Sequence, residues 1–93
     1  MKKTIHIVKR RGGAVQEFDE RKVYASCYSA CMSSHLSEGE AEFIANRVTK
    51  EAKAWIKNKR KITSMQLFKQ VARSIKKFDK DAAFMYETHM DVS

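Results

Sequence analysis

Cationic residues surround the two glycines of residues 8–22, the stretch VKRRGGAVQEFDERK. Lys9 and Arg10 precede the glycines, and Lys22 falls in the first turn of the helix that Asp19 is placed to begin. A cation in the first helical turn is unfavourable because it opposes the helix dipole, and an anion bound nearby would explain why a lysine occupies this position. If the hairpin folds back on the helix, the three cations meet at a helix N-terminus, where phosphate groups bind readily. The alternative is three unrelated surface cations.

A second candidate for chemistry is the set Cys27, Cys31 and His35, spaced at i, i+4 and i+8. Thiolates and imidazoles are zinc ligands, but a structural zinc site needs a fourth ligand, and no Cys-x₂-Cys pair is present. Buried free cysteines are ordinary small core residues, so we favour core packing and expect no structural metal. We expect no disulfide between them in a reducing cytosol.

A third candidate is a cationic stripe formed by Lys69, Arg73 and Lys76 at i, i+4 and i+7. It lies in a segment, residues 57–78, that carries eight Lys and Arg residues and no acid, in a chain of net charge +8. Such a stripe can lie along a phosphate backbone. No aromatic residues interleave with the cations to stack on bases, so a solvated helix face is the favoured interpretation.

Several functional classes lack their sequence signals. There is no G-x-x-x-x-G-K-[ST] and no G-x-G-x-x-G after a strand, which excludes a P-loop and a Rossmann site. No Ser or Cys is paired with a positioned His and acid, so we expect no catalytic residues and no enzyme. No apolar run approaches the roughly 18 to 20 residues of a membrane span, and the N-terminus has no apolar signal region. We expect a soluble, cytoplasmic protein with no membrane partner.

The segments predict a single domain over residues 1–93. Alternating β-branched residues on both sides of the glycines predict a β-hairpin over about residues 4–18, with the positive-φ turn at residues 11–13. Four helices are predicted over about residues 19–34, 37–56, 63–78 and 79–90. The predicted fold class is mainly α (α+β), with the N-terminal hairpin packed on a small four-helix bundle.

Helix starts and apolar stripes support these segments. Asp19 and Asp79 are candidate N-caps, Ser37 with Glu40 and Thr63 with Gln66 form candidate capping boxes, and residues 57–61 are expected to form a polar loop. Apolar residues recur at helical spacing on the first three helices. They are Val23, Cys27, Ala30 and Cys31; Ile44, Val48, Ala52 and Trp55; and Leu67, Val71, Ile75 and Phe78.

The segment IVKRRGGAVQEFDERKV resembles the opening of the ATP-cone, roughly V-x-K-R-x-G followed by F-D-x-x-K-[IV]. The blocks AEFIANRVTKEAKAWI, KITSMQLFKQVARSIKKF and DAAFMYETH are also similar to the family, so the resemblance covers about residues 4–90. ATP-cones combine a β-hairpin with a four-helix bundle. They occur at the N-terminus of ribonucleotide reductase catalytic subunits, where ATP or dATP sets activity through oligomer rearrangement, and behind a zinc ribbon in the repressor of reductase genes.

The resemblance implies reversible binding of ATP or dATP, with or without Mg²⁺, and no hydrolysis. By position, Lys9 and Arg10 would contact phosphates. The segment from Glu17 through Phe18 and Asp19 to Lys22 would hold the base and ribose, with Lys22 also near phosphate. Thr63 or Ser64 would close the site.

Two departures from the family pattern stand out. The turn is one residue longer than usual, which shifts the register between Gly12 and Phe18. Where many members end in Tyr-x-x-aromatic-Arg, Tyr86 is followed by His89 and Met90, without the arginine.

Three functional interpretations follow. The first is an ATP-cone without an attached catalytic domain or zinc ribbon, which would signal to a separate protein, such as a ribonucleotide reductase or a regulator, or through self-association. The second is a nucleic-acid-binding or transcription-regulating module that uses residues 57–77. The third is a degenerate cone that has lost its ligand and persists as a dimerisation bundle.

Overall fold

The protein's structure, a computed structural model that describes residues 7–9 and 11–89, contains four helices and a small N-terminal sheet. This confirms the predicted fold class. The helices are α1 Glu20–Ser33, α2 Glu38–Ile56, α3 Ser64–Lys76 and α4 Lys80–His89. Residues 4–6 of the predicted hairpin and residue 90 of the predicted last helix lie outside the described residues. None of the described helices has the length and apolar character needed to cross a bilayer.

The sheet has three strands in the order β2-β1-β3. Strand β1 (Ile7–Lys9) pairs antiparallel with β2 (Val15–Glu17) and parallel with β3 (Lys61–Thr63). The expectation that residues 57–61 form only a polar loop is therefore wrong at Lys61, where β3 begins. Strand β3 was not predicted because it is three residues long and pairs with β1, which is distant from it in the sequence. No local pattern signals such a pairing.

The turn of the hairpin requires its glycines. Gly12 and Gly13 have φ angles of 85° and 91°, the region that only glycine adopts at no steric cost. The positive-φ turn predicted at residues 11–13 is thus confirmed. It takes the form of a single 3₁₀ turn over Arg11–Gly13.

The helix starts follow from side-chain caps that the sequence predicted. Each cap accepts a hydrogen bond from an otherwise unpaired amide of the first helical turn, which fixes where the helix begins. The confirmed caps are Asp19 at α1, the Ser37–Glu40 capping box at α2, the Thr63–Gln66 capping box at α3 and Asp79 at α4.

The core consists of two apolar clusters. The main cluster lies between the four helices and contains all four predicted residues of the α1 stripe, together with Ile44, Val48 and Ala52 of α2 and Val71 and Ile75 of α3. The second cluster lies beneath the sheet and is formed by Val8, Ile56 and Ile62, with Trp55 half-buried against it. Phe18 and Leu67 pack against both clusters, so these two side chains join the sheet to the helical bundle.

Candidate functional site

A groove of about 910 Å³ opens where the sheet meets the helices. This volume falls within the roughly 300–1,000 Å³ typical of small-molecule sites. One wall is the junction between β2 and α1, and the other is the C-terminal part of α2. The lining residues are Gln16, Glu17, Phe18, Asp19, Glu20, Arg21, Lys22, Lys53, Ala54, Ile56 and Lys57.

The wall formed by the β2–α1 junction is held in place from both sides. On the inner side, Phe18 is half-buried and anchored in both apolar clusters. On the helix side, the Asp19 carboxylate accepts a hydrogen bond from the Arg21 backbone amide at 3.0 Å. Anchor and cap are adjacent in sequence, so the chain enters α1 in a fixed direction. This direction places the polar side chains on either side of Phe18 along the groove.

Asp19 also forms a two-pronged ion pair with the Arg21 guanidinium, whose Nε and Nη2 lie 3.1 Å and 3.2 Å from its two carboxylate oxygens. The side-chain hydrogen bond from Arg21 is the main reason that the pKa of Asp19 lies below its usual value. The same bond raises the pKa of Arg21. The charge of Lys22 lowers the pKa of Asp19 further. The cation that opposes the α1 dipole therefore has a carboxylate as a neighbour.

The groove carries mixed charge with a small cationic surplus. Its cations are Arg21, Lys22, Lys53 and Lys57, and its carboxylates are Glu17, Asp19 and Glu20. An ion pair links the two walls, with Lys53 Nζ 2.9 Å from Glu20 Oε2. Neither Lys53 nor Lys57 was predicted as a nucleotide-site residue; Lys57 was named only as the start of the nucleic-acid-binding segment 57–77. Their i, i+4 spacing on α2 was available as a signal, but nothing in the sequence places that face of α2 beside the start of α1.

The predicted site residues fall into two groups in the structure. Glu17, Phe18, Asp19 and Lys22 line the groove. Lys9 and Thr63 do not line it; they are opposite each other on the neighbouring strands β1 and β3, and both are exposed.

Two predicted site residues remain, Ser64 and Arg10. Ser64 is the half-buried first residue of α3 and does not line the groove, and Arg10 lies outside the described residues. The Thr63 hydroxyl accepts a hydrogen bond from the Gln66 amide at 3.0 Å, so it serves the capping box. The roles assigned to all these residues stay predictions.

The cysteines and the histidine do not form a common site. Cys27 and Cys31 are fully buried in the main cluster, which confirms the core-packing interpretation. A hydrogen bond with Cys31, together with burial, raises the pKa of the Cys27 thiol. His35 lies beyond the end of α1 in a left-handed conformation (φ 69°) and is exposed. Within residues 7–9 and 11–89, no three His, Cys, Asp or Glu side chains gather into a potential metal site.

Tyr86, the closing residue of the family-like pattern, lies in the core and not at the groove. Its ring stacks on Phe68 with centroids 5.1 Å apart. Burial raises the pKa of this hydroxyl well above its usual value. Tyr86 therefore helps to pack α4 against α3 in the main cluster.

The cationic stripe on α3 is exposed along its length. Lys69, Arg73 and Lys76 all face solvent, and none of them has an ion pair within the part of the chain that the structure describes. The next cation, Lys77, differs, because its Nζ lies 2.8 Å from Glu51 Oε1. The stripe is thus a surface available to an anionic partner.

Comparison with known proteins shows a distant relationship to a transcriptional repressor. The chain is 29% identical over 91 residues to the transcriptional repressor NrdR of Carboxydothermus hydrogenoformans. The matched region covers 94% of this chain and 58% of the repressor, so the chain spans little more than half the length of that protein. No protein-family model matches the chain, and no solved structure matches it significantly. The named relative is a regulatory protein and not an enzyme.

Proposed function

We propose that this chain is a regulatory module that binds ATP or dATP in the groove, with or without Mg²⁺, and does not hydrolyse it. One observation carries the proposal. The groove is lined by Glu17, Phe18, Asp19 and Lys22, the segment to which the ATP-cone resemblance assigns the base and ribose. The groove also has the volume of a small-molecule site.

The side chains of this segment suit the parts of a nucleotide. The exposed part of Phe18 offers an apolar surface to the base, and the carboxylates of Glu17 and Asp19 can accept hydrogen bonds from ribose hydroxyls or the adenine amino group. Lys22 supplies a charge-assisted contact for phosphate beside the N-terminus of α1.

The distant relationship supports a regulatory output. The similar protein is a transcriptional repressor, and the ATP-cone family that the chain resembles includes a repressor of reductase genes. We propose that the bound nucleotide is signalled, in the cytoplasm, to a separate protein such as a ribonucleotide reductase or a regulator, or through self-association.

Equilibrium dialysis with ATP tests the site, with chromatography of the nucleotide to follow hydrolysis. Lys22→Ala should weaken ATP binding at least tenfold, since a charge-assisted hydrogen bond contributes about 1.5–3 kcal/mol. Lys69→Ala removes the same charge on the far stripe and should bind like the wild type. Equal affinities for the two variants would contradict the site, and ADP formation would contradict binding without hydrolysis.

A second candidate function is nucleic-acid binding through Lys69, Arg73 and Lys76. The exposure of all three cations, without ion pairs among the described residues, favours it. Replacing all three by Met should reduce the slope of log affinity against log salt by up to about 0.9 for each phosphate that the stripe no longer neutralises. Duplex binding with an unchanged slope would contradict a role for this stripe.

A further inference from the structure

The α2 wall of the groove presents two lysines that the resemblance does not assign. Lys53 and Lys57 are one helical turn apart, so they lie on the same face of α2. Both line the groove opposite the first turn of α1. Lys22, on that first turn, lines the same groove. An anion that enters between the walls therefore meets lysines from two helices.

The charge on these lysines is only partly compensated. Arg21 is engaged by Asp19, and Lys53 is engaged by Glu20. Lys22 and Lys57 have no ion pair within the described residues. Each wall therefore has a lysine whose charge is not neutralised by an ion pair among the described residues. A ligand with several consecutive phosphates could bind lysines of both walls at the same time.

A phosphate group can replace Glu20 as the ion-pair partner of Lys53. Its two side chains are 48% and 55% exposed, respectively, and an ion pair of this exposure contributes about 1 kcal/mol or less. A terminal phosphate carries about −1.5 to −2 charges at neutral pH, compared with −1 for a carboxylate. Phosphate is therefore the stronger partner for Lys53. Exchange would also break the only ion pair that joins α1 to α2 among the described residues.

We propose that Lys53 and Lys57 bind the polyphosphate chain of the ligand and that Glu20 is a built-in competitor, displaced from Lys53 when the ligand enters. The inference rests on the proposed function and specifies how the same groove distinguishes nucleotides by the number of their phosphates. It predicts that a triphosphate binds more tightly than a monophosphate because its additional phosphates offer more negative charge to the lysines of the two walls. Loss of the Glu20–Lys53 pair then links occupancy to the packing of α1 on α2.

Calorimetric titration of the full chain with ATP, AMP and inorganic tripolyphosphate tests this exchange. Lys53→Met should weaken the binding of ATP about tenfold, because it removes a charge-assisted bond to the outer phosphates. The binding of AMP, which lacks those phosphates, should weaken much less. Glu20→Gln should strengthen the binding of ATP about two- to fivefold, since it removes the carboxylate that competes with phosphate for Lys53. Matched controls are Lys50→Met on α2 and Glu87→Gln on α4, exposed residues that do not line the groove and should leave all affinities unchanged. Circular dichroism verifies that each variant is folded.

The outcomes separate this inference from the proposed function. If ATP binds and Lys53→Met behaves like Lys50→Met, the inference is overturned and the nucleotide site stands. If ATP does not bind the wild type, the proposed function fails and tripolyphosphate decides the inference. Binding of tripolyphosphate that weakens in Lys53→Met supports the lysine site, whereas no binding, or binding insensitive to that change, overturns it.

Discussion

Replacing Ile62 by alanine tests whether β3 anchors the sheet to the bundle. Ile62 is 3% exposed and is one of three buried residues in the second cluster, with Val8 and Ile56. Buried Ile→Ala changes cost about 2–5 kcal/mol, depending on how far the site can collapse. This cluster is small and lies beneath an edge strand, so partial collapse favours the lower part of that range, about 2–3 kcal/mol.

In a domain of this size, each kcal/mol lowers the melting temperature by about 4–8 °C, so Ile62→Ala should melt about 8–24 °C below the wild type. Thermal and urea unfolding followed by circular dichroism measure this. Ile62→Val should cost only about 1 kcal/mol. Lys61→Ala, on the exposed neighbour in the same strand, should stay within about 0.5 kcal/mol of the wild type. Equal melting temperatures for Ile62→Ala and Lys61→Ala would refute the burial of β3 against the bundle.

Three further predictions concern local features. Since Arg21 keeps the pKa of Asp19 low, the stabilisation from the ionised carboxylate is complete above its usual value of about 3.9 and is lost as the pH falls through the lowered pKa. The urea midpoint should therefore fall more between pH 5 and pH 3 in the wild type than in Asp19→Asn, and equal changes would contradict the pairing. His35→Gly should raise the free energy of unfolding by about 0.5–1 kcal/mol, because glycine relieves the left-handed strain at φ 69°; no gain in urea unfolding would count against that conformation. Cys27 and Cys31 are fully buried, so a thiol reagent should label them only as urea unfolds the chain, and rapid labelling in native buffer would show that they are accessible.

The helices could be predicted because their signals are local. Asp19, the Ser37–Glu40 pair and the Thr63–Gln66 pair each fix a helix start through bonds within four residues, and the structure shows every one of them. The apolar stripes of α1 and α2 are likewise properties of single helices. Such features depend on neighbouring residues alone, so the sequence is enough to predict them.

The site could be predicted only in part because it is assembled by tertiary packing. The segment from Glu17 to Lys22 is continuous in sequence, and it does line the groove. Lys53 and Lys57 complete the groove only because α2 packs against α1 in one particular orientation. Strand β3 brings Thr63 beside Lys9 through a parallel pairing across the chain. No local sequence pattern indicates either arrangement.

Calorimetric titration of the wild-type chain with ATP, dATP and GTP at two salt concentrations tests adenine-nucleotide binding most directly. Saturable binding of ATP or dATP in the micromolar range, about −8 kcal/mol, with much weaker GTP binding, is the predicted result. Absence of binding by both adenine nucleotides, or equal and strongly salt-dependent binding of all three, would contradict the claim.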